Sequence, residues 1–134
     1  MSERPLVGVL DTCTYIDLLD LDTTGLPDRW ELTAISMAEL QQGVGMAKDP
    51  FTRAARAEVL SSAVKTVDPL PFDGTAATRY GTLVALTVAA GRDPRPRRRD
   101  LMIAAIASSR NLPLYTRNPA DFKGLDDLLT VHAV

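Results

Sequence analysis

The 134-residue sequence predicts an α/β domain in which a parallel sheet is covered on both faces by helices. Three observations predict it. The first apolar run, Leu6-Val7-Gly8-Val9-Leu10, has no polar face, as a strand buried on both sides requires. Between such runs the apolar residues fall at helical spacing, most clearly Ala76, Tyr80, Leu83, Val84, Thr87 and Val88 on one stripe. Strand and helix patterns alternate along the chain, and parallel strands need that kind of crossover. Residues 1–134 read as one domain, with no repeats, low-complexity tracts or internal linkers.

The first strand ends at Asp11-Thr12, and a helix follows to about Leu19. Gly25-Leu26-Pro27-Asp28 is a turn cluster, and residues 31–35 form a second strand. Ser36 opens a helix to about Ala47, with Met37, Leu40 and Val44 on one face. Asp49-Pro50 reads as a cap and a first-turn proline opening a helix to about Val64. Prolines make residues 67–72 an edge strand or an extended crossing. A helix over 75–90 ends at Gly91, and an arginine-rich loop leads into an alanine-rich helix over 100–110. Residues 112–115 and 128–132 are the last two strands.

The composition, 46% apolar and 24% charged, is that of a water-soluble globular protein. No apolar run approaches the roughly 20 residues of a membrane span, and the first residues lack a secretory signal pattern. A cytoplasmic protein with no membrane association is expected. A single cysteine, Cys13, excludes an internal disulfide and a multi-cysteine metal site, and it is expected to be a buried, small apolar residue. Residues 1–91 carry 12 acids against 7 Lys/Arg, whereas residues 92–134 carry 5 against 8. Arg92, Arg95, Arg97, Arg98 and Arg99 form a local basic patch able to hold a phosphate backbone, or else a solvated loop.

In parallel α/β sheets, ligands bind beyond the carboxyl ends of the strands. Asp11 directly follows the first strand, Glu39 lies in the first turn of the helix after the second, and Asn118 and Asp121 follow the strand over 112–115. Asp100 joins them if its helix packs against the first strand's carboxyl end. Each has a local explanation. Ser36-Met37-Ala38-Glu39 matches a capping box, Asp11 and Asp100 suit N-caps, and Asn118-Pro119-Ala120-Asp121 suits a cap, a first-turn proline and an N3 acid. Taken together they say more. Several carboxylates in one pocket repel unless a cation neutralises them, and hard oxygen donors without Cys or His select Mg2+ or Mn2+. Such an ion neutralises charge building on a phosphoryl oxygen.

Rival chemistries fail on inspection. His132 is the only histidine, which excludes a two-histidine ribonuclease and leaves no Ser-His-Asp triad. The chain has no G-x-S-x-G, GxxxxGK[ST] or GxGxxG. A phosphoryl-accepting aspartate would usually be followed two residues later by another, where Cys13 stands.

Four blocks carry a family resemblance: Leu10-Asp11-Thr12-Cys13, Ile35-Ser36-Met37-Ala38-Glu39-Leu40, Arg99-Asp100-Leu101-Met102-Ile103-Ala104-Ala105-Ile106-Ala107, and Leu114-Tyr115-Thr116-Arg117-Asn118-Pro119-Ala120-Asp121-Phe122. In order and spacing they resemble PIN-domain proteins, above all VapC-type toxins. The resemblance implies a three-layer α/β/α fold with a central parallel sheet and a Mg2+-dependent endoribonuclease site, Mn2+ being an alternative ion. Asp11 and Asp100 match the metal-ligating positions, and Glu39 the acid beside them. Many relatives carry an acid where this chain has Asn118, and Asp121 is the candidate to replace it. Thr12 and Thr116 would support the ligands, and Arg95, Arg97, Arg98 and Arg99 would contact flanking RNA phosphates. The resemblance also implies a VapB-like antitoxin as partner and a homodimer. Asn118 in place of an acid favours, as the alternative, a catalytically silent module that binds RNA or protein, against which Asp11, Glu39 and Asp100 argue. The pocket alone also suits a phosphatase or a DNA nuclease.

Overall fold

The computed structural model describes residues 6–134. The expectation that no secretory signal opens the chain falls on residues 1–5 and lies outside them. Four strands form one sheet, β1 (Val7–Leu10), β2 (Arg29–Glu31), β3 (Leu114–Thr116) and β4 (Val131–Ala133), in the order β2-β1-β3-β4 with every pair parallel. Among the described residues five α-helices cover it: α1 (Thr12–Ile16), α2 (Ala34–Gly45), α3 (Pro50–Thr66), α4 (Gly74–Ala89) and α5 (Arg98–Ser109). This is the three-layer α/β/α arrangement with a central parallel sheet.

The two faces of β1 show how the layers divide. Val9 and Leu10 are both fully buried, but successive side chains point to opposite sides. Val9 packs with Leu114, Leu83 of α4 and the apolar face of α5, whereas Leu10 packs with Tyr115, Tyr15 of α1, Leu40 of α2 and Ala63 of α3. Gly8 allows the second cluster to close, because a Cβ there would collide with the Tyr115 ring. Helix ends are set by short-range chemistry. Asp49 caps α3 through Thr52 N at 2.9 Å, with Pro50 next, and Asp73 caps α4 through Ala76 N at 2.9 Å.

Several boundaries differ from the expected ones. The second strand lies earlier, at Arg29–Glu31, and residues 31–35 instead lead into α2 through a single parallel bridge between Thr33 and Leu70. Residues 67–72 are thus an extended crossing. The third strand is shifted to Leu114–Thr116 and the last to Val131–Ala133. Ile16 ends α1, and a separate 3-10 turn, Leu18–Asp20, replaces the rest of the expected helix. Val88, assigned to the buried stripe of α4, is exposed. No helix among the described residues is long and apolar enough to cross a membrane.

The chain visits β2 on one side of β1 and later returns to β3 on the other. The crevice between the carboxyl ends of β1 and β3 is therefore the topological switch point, where open α/β sheets bind ligands.

Candidate active site

Asp11 and Thr116 bracket that crevice. Asp11 follows β1 and is buried, at 5% exposure. Its Oδ1 accepts from Thr14 N at 3.1 Å, capping α1, and its Oδ2 accepts from the Thr116 hydroxyl at 2.5 Å. Asn118 N in turn donates to Thr116 Oγ1 at 2.9 Å, so the loop after β3 is folded onto the same carboxylate. A buried carboxylate must be hydrogen-bonded, and both of its oxygens here are.

Glu39 reaches the crevice from α2. The helix starts two residues earlier than Ser36 leads one to expect, because Thr33 is the cap: its Oγ1 accepts from Ser36 N at 3.1 Å. The capping-box reading of Ser36 and Glu39 is therefore overturned. Glu39 does not turn back onto its own helix. Its Oε1 lies 2.7 Å from Thr12 Oγ1, and its Oε2 lies 3.7 Å from Arg99 Nε.

Asp100 is not a cap either. It is the third residue of α5, which begins at Arg98 with no side-chain cap. Half-buried, it makes no side-chain hydrogen bond among the described residues. Burial pushes its carboxyl up to about 6, and the charges of Asp121, Glu39 and Asp11, in that order, push the same way, against Arg99. Asp121 is half-buried in the 3-10 turn Pro119–Phe122 and is the strongest charged influence on Asp100. Asn118 begins that turn, but its side chain caps nothing and it is exposed. The end of β1, the first half of α2 and the turn after β3 thus bring Asp11, Glu39 and Asp121 within electrostatic reach of Asp100 at the start of α5. Among the described residues, no three His, Cys, Asp or Glu side chains are gathered closely enough to hold a metal ion by themselves.

Cys13 corrects another expectation. It is exposed on α1, not buried, and partial desolvation followed by the charges of Asp11, Glu39, Asp100 and Asp17 pushes its thiol up. A thiol kept protonated is a poor nucleophile.

The arginines differ among themselves. Arg95 is paired with Asp93 at 3.1 Å, and Arg97 donates to the Asp93 carbonyl at 3.1 Å. Arg98 is exposed without a side-chain partner among the described residues. Arg99 alone touches the acids, dividing its guanidinium between Glu39 and Gln42 Oε1, the latter at 3.0 Å. From Glu39 and Arg99 an apolar groove of about 760 Å3 runs between α2 and α3, lined by Ile16, Leu40, Met46 and Val59. A second hollow of about 510 Å3, sharing Ile16 and Val59, carries it on past Leu19 and Trp30. Ile16 (51%), Met46 (65%) and Leu19 (99%) are large apolar side chains left exposed along it, a feature of interaction surfaces. Sequence reading missed this groove and saw Ser36 only as a helix cap, its hydroxyl's partner being 24 residues away.

Comparison with known proteins gives a consistent picture. No family model matches the chain. It is 39% identical over 137 aligned residues to Ribonuclease VapC5 of Mycobacterium tuberculosis, covering 100% of this chain and 98% of the relative. It is 35% identical to Ribonuclease VapC8 of the same species over 102 residues, 75% of this chain and 90% of the relative. The crystal structure of VapBC-5 from Mycobacterium tuberculosis, a member of the VapBC family of toxin-antitoxin systems, superposes with a TM-score of 0.84 at 38% identity, over 97% of this chain and 98% of that one. Sequence, length and fold agree: the chain belongs to the VapC family of PIN-domain proteins.

Proposed function

We propose that this protein is the toxin of a type II toxin–antitoxin pair, a Mg2+-dependent endoribonuclease acting in the cytoplasm. The observation that carries the proposal is the placement of Asp11 and Asp100, with Glu39 and Asp121 in electrostatic reach of Asp100, in the crevice at the switch point of the sheet; the raised Asp100 carboxyl supports it. Such a pocket is short of positive charge, and its hard oxygen donors fit Mg2+ or Mn2+. Mg2+ keeps several waters and is commonly held by one or two carboxylates together with substrate phosphate, a demand that two acids can meet.

Asp11 and Asp100 are the residues that would hold the ion. When bound, it would supply Lewis-acid neutralisation of the charge that develops on a phosphoryl oxygen. The protein's own groups do the rest. Thr116 and the α1 N-terminus fix the Asp11 carboxylate, so its orientation is set before RNA arrives. Glu39, held by Thr12, orients the attacking water in line with the scissile phosphodiester. Asp121 holds negative potential on Asp100, and Asn118 stands exposed at the rim to meet the RNA. Arg98 and Arg99 bind flanking phosphates, while Arg95 and Arg97, engaged by Asp93, shape the loop that presents them.

The groove beside Glu39 is where a VapB-like antitoxin would dock. Its apolar lining suits an amphipathic segment, and a basic residue at that segment's end would meet the acids. The test is cleavage of a dual-labelled, mixed-sequence RNA by antitoxin-free protein. Cleavage that requires Mg2+, stops with EDTA and is absent in Asp100→Asn is the expected result. No cleavage by folded protein that also fails to bind Mg2+ would leave the silent RNA- or protein-binding module as the reading.

A further inference from the structure

Ser36 is fully buried at the edge of the acid pocket, and its hydroxyl takes no part in the proposed chemistry. Its backbone N–H is already satisfied by Thr33 Oγ1. Its hydroxyl leaves its own helix and meets Thr12 Oγ1 of α1 at 2.8 Å, and that same atom lies 2.7 Å from Glu39 Oε1. Proton counting orders the chain. Thr12 has one hydroxyl proton, and an ionised carboxylate only accepts, so Thr12 donates to Glu39 and its lone pair accepts from Ser36. A serine hydroxyl buried at this depth is costly unless it is bonded, and Thr12 is the partner it has.

The two oxygens of Glu39 are therefore held very differently. Oε1 faces a short bond backed by a buried hydroxyl. Oε2 faces Arg99 at 3.7 Å, through an exposed guanidinium shared with Gln42 and screened by water. We infer that Ser36 is a positioning residue: acting through Thr12, it locks the Glu39 carboxylate so that Oε2 stays on the side where Arg99 stands. With Ser36 lost, Thr12 keeps Glu39 as its acceptor but loses the second bond that fixes its hydroxyl and strengthens its grip on Glu39.

The inference rests on reading Glu39 as the water-orienting carboxylate, so its test has one readout that does not require cleavage. Ser36→Ala, Thr12→Val, Thr12→Ser and the Ser36→Ala/Thr12→Val double variant are compared. In metal-free protein, NMR couplings report the Glu39 side-chain rotamer. A single rotamer is expected in the parent and in Thr12→Ser, and an averaged one in Ser36→Ala and in Thr12→Val. With Mg2+ and RNA, Ser36→Ala should lower kcat about 10-fold, the scale for a supporting partner of a site ligand, and leave KM unchanged. Added to Thr12→Val, it should cost nothing further. Thr12 is only half-buried, so its two variants test the relay even if Ser36→Ala weakens the fold. Glu39 remaining locked in Ser36→Ala, or losses in kcat that multiply in the double variant, would overturn the inference. Rotamers that follow the expected pattern in a protein that cleaves no RNA would support the positioning role and sink the nuclease reading instead.

Discussion

Asp11 and Asp100 stand in the same crevice and differ in almost everything else. Asp11 is held by a helix N–H and a threonine hydroxyl, one on each oxygen, at the junction of β1 and α1. Asp100 stands in the first turn of α5 with no hydrogen bond to its carboxyl among the described residues and like charges around it. The first is preorganised by the fold, and the second has a raised carboxyl whose charge a bound cation would favour. A pocket built entirely like Asp11 would be stable and need no ion, whereas one built entirely like Asp100 would not hold its shape. Under the proposed function, joining the two gives a site that is geometrically fixed and that a cation would complete.

Removing the incomplete half should have the largest effect on activity. Asp100→Asn is expected to lower RNA cleavage by roughly 10^3-fold or more, as losses of residues that act as a unit do. It should also stabilise the metal-free protein. The folded-state pKa, about 6, lies above the unfolded value of about 3.9, so the folded protein binds more protons between them. The Asp100 contribution is full below about pH 4 and is lost as pH rises through about 6. Thermal melts without metal should therefore fall from pH 4.5 to 7.5 in the parent and fall less in Asp100→Asn. An identical pH slope in both would break the contrast between the two aspartates.

Disturbing the fixed half should cost less activity and more stability. Thr116→Val removes the hydroxyl from a buried carboxylate, with an expected loss of about 1–3 kcal/mol in unfolding free energy. Cleavage should fall by about 10- to 100-fold. Chemical denaturation beside a rate assay checks both, and a variant as stable and active as the parent would show that Asp11 needs no holding. The smallest effect belongs to the rim. Arg98→Gln should weaken RNA binding and flatten its salt dependence by about one unit of slope, whereas Arg95→Gln, whose guanidinium is already paired, should leave the slope unchanged.

The contrast also shows what the sequence could and could not reveal. Asp11 was legible because it follows an apolar strand at a place where parallel sheets bind ligands. Asp100 was legible as a motif residue, but its placement depended on how α5 packs, which local spacing does not encode. Ser36 and Glu39 read as a capping box because the motif spans only four residues. It cannot tell that Thr33, bridged to Leu70, starts the helix earlier and frees both side chains for Thr12. Cys13 was misjudged from its residue type: α1 is five residues long and buries Thr14 and Tyr15, leaving Cys13 on the open side. Strand boundaries slipped by one to four residues because these strands are only three or four residues long, too short for a side-chain alternation to mark their ends.

The most direct single test is to follow the Asp100 carboxyl 13C resonance against pH, first in metal-free protein and then with saturating Mg2+. A midpoint near 6 that drops on adding Mg2+ is the expected result, because the ion favours the charged form. A midpoint in the ordinary carboxylate range, unmoved by Mg2+, would contradict the view that this crevice is a cation-dependent catalytic site.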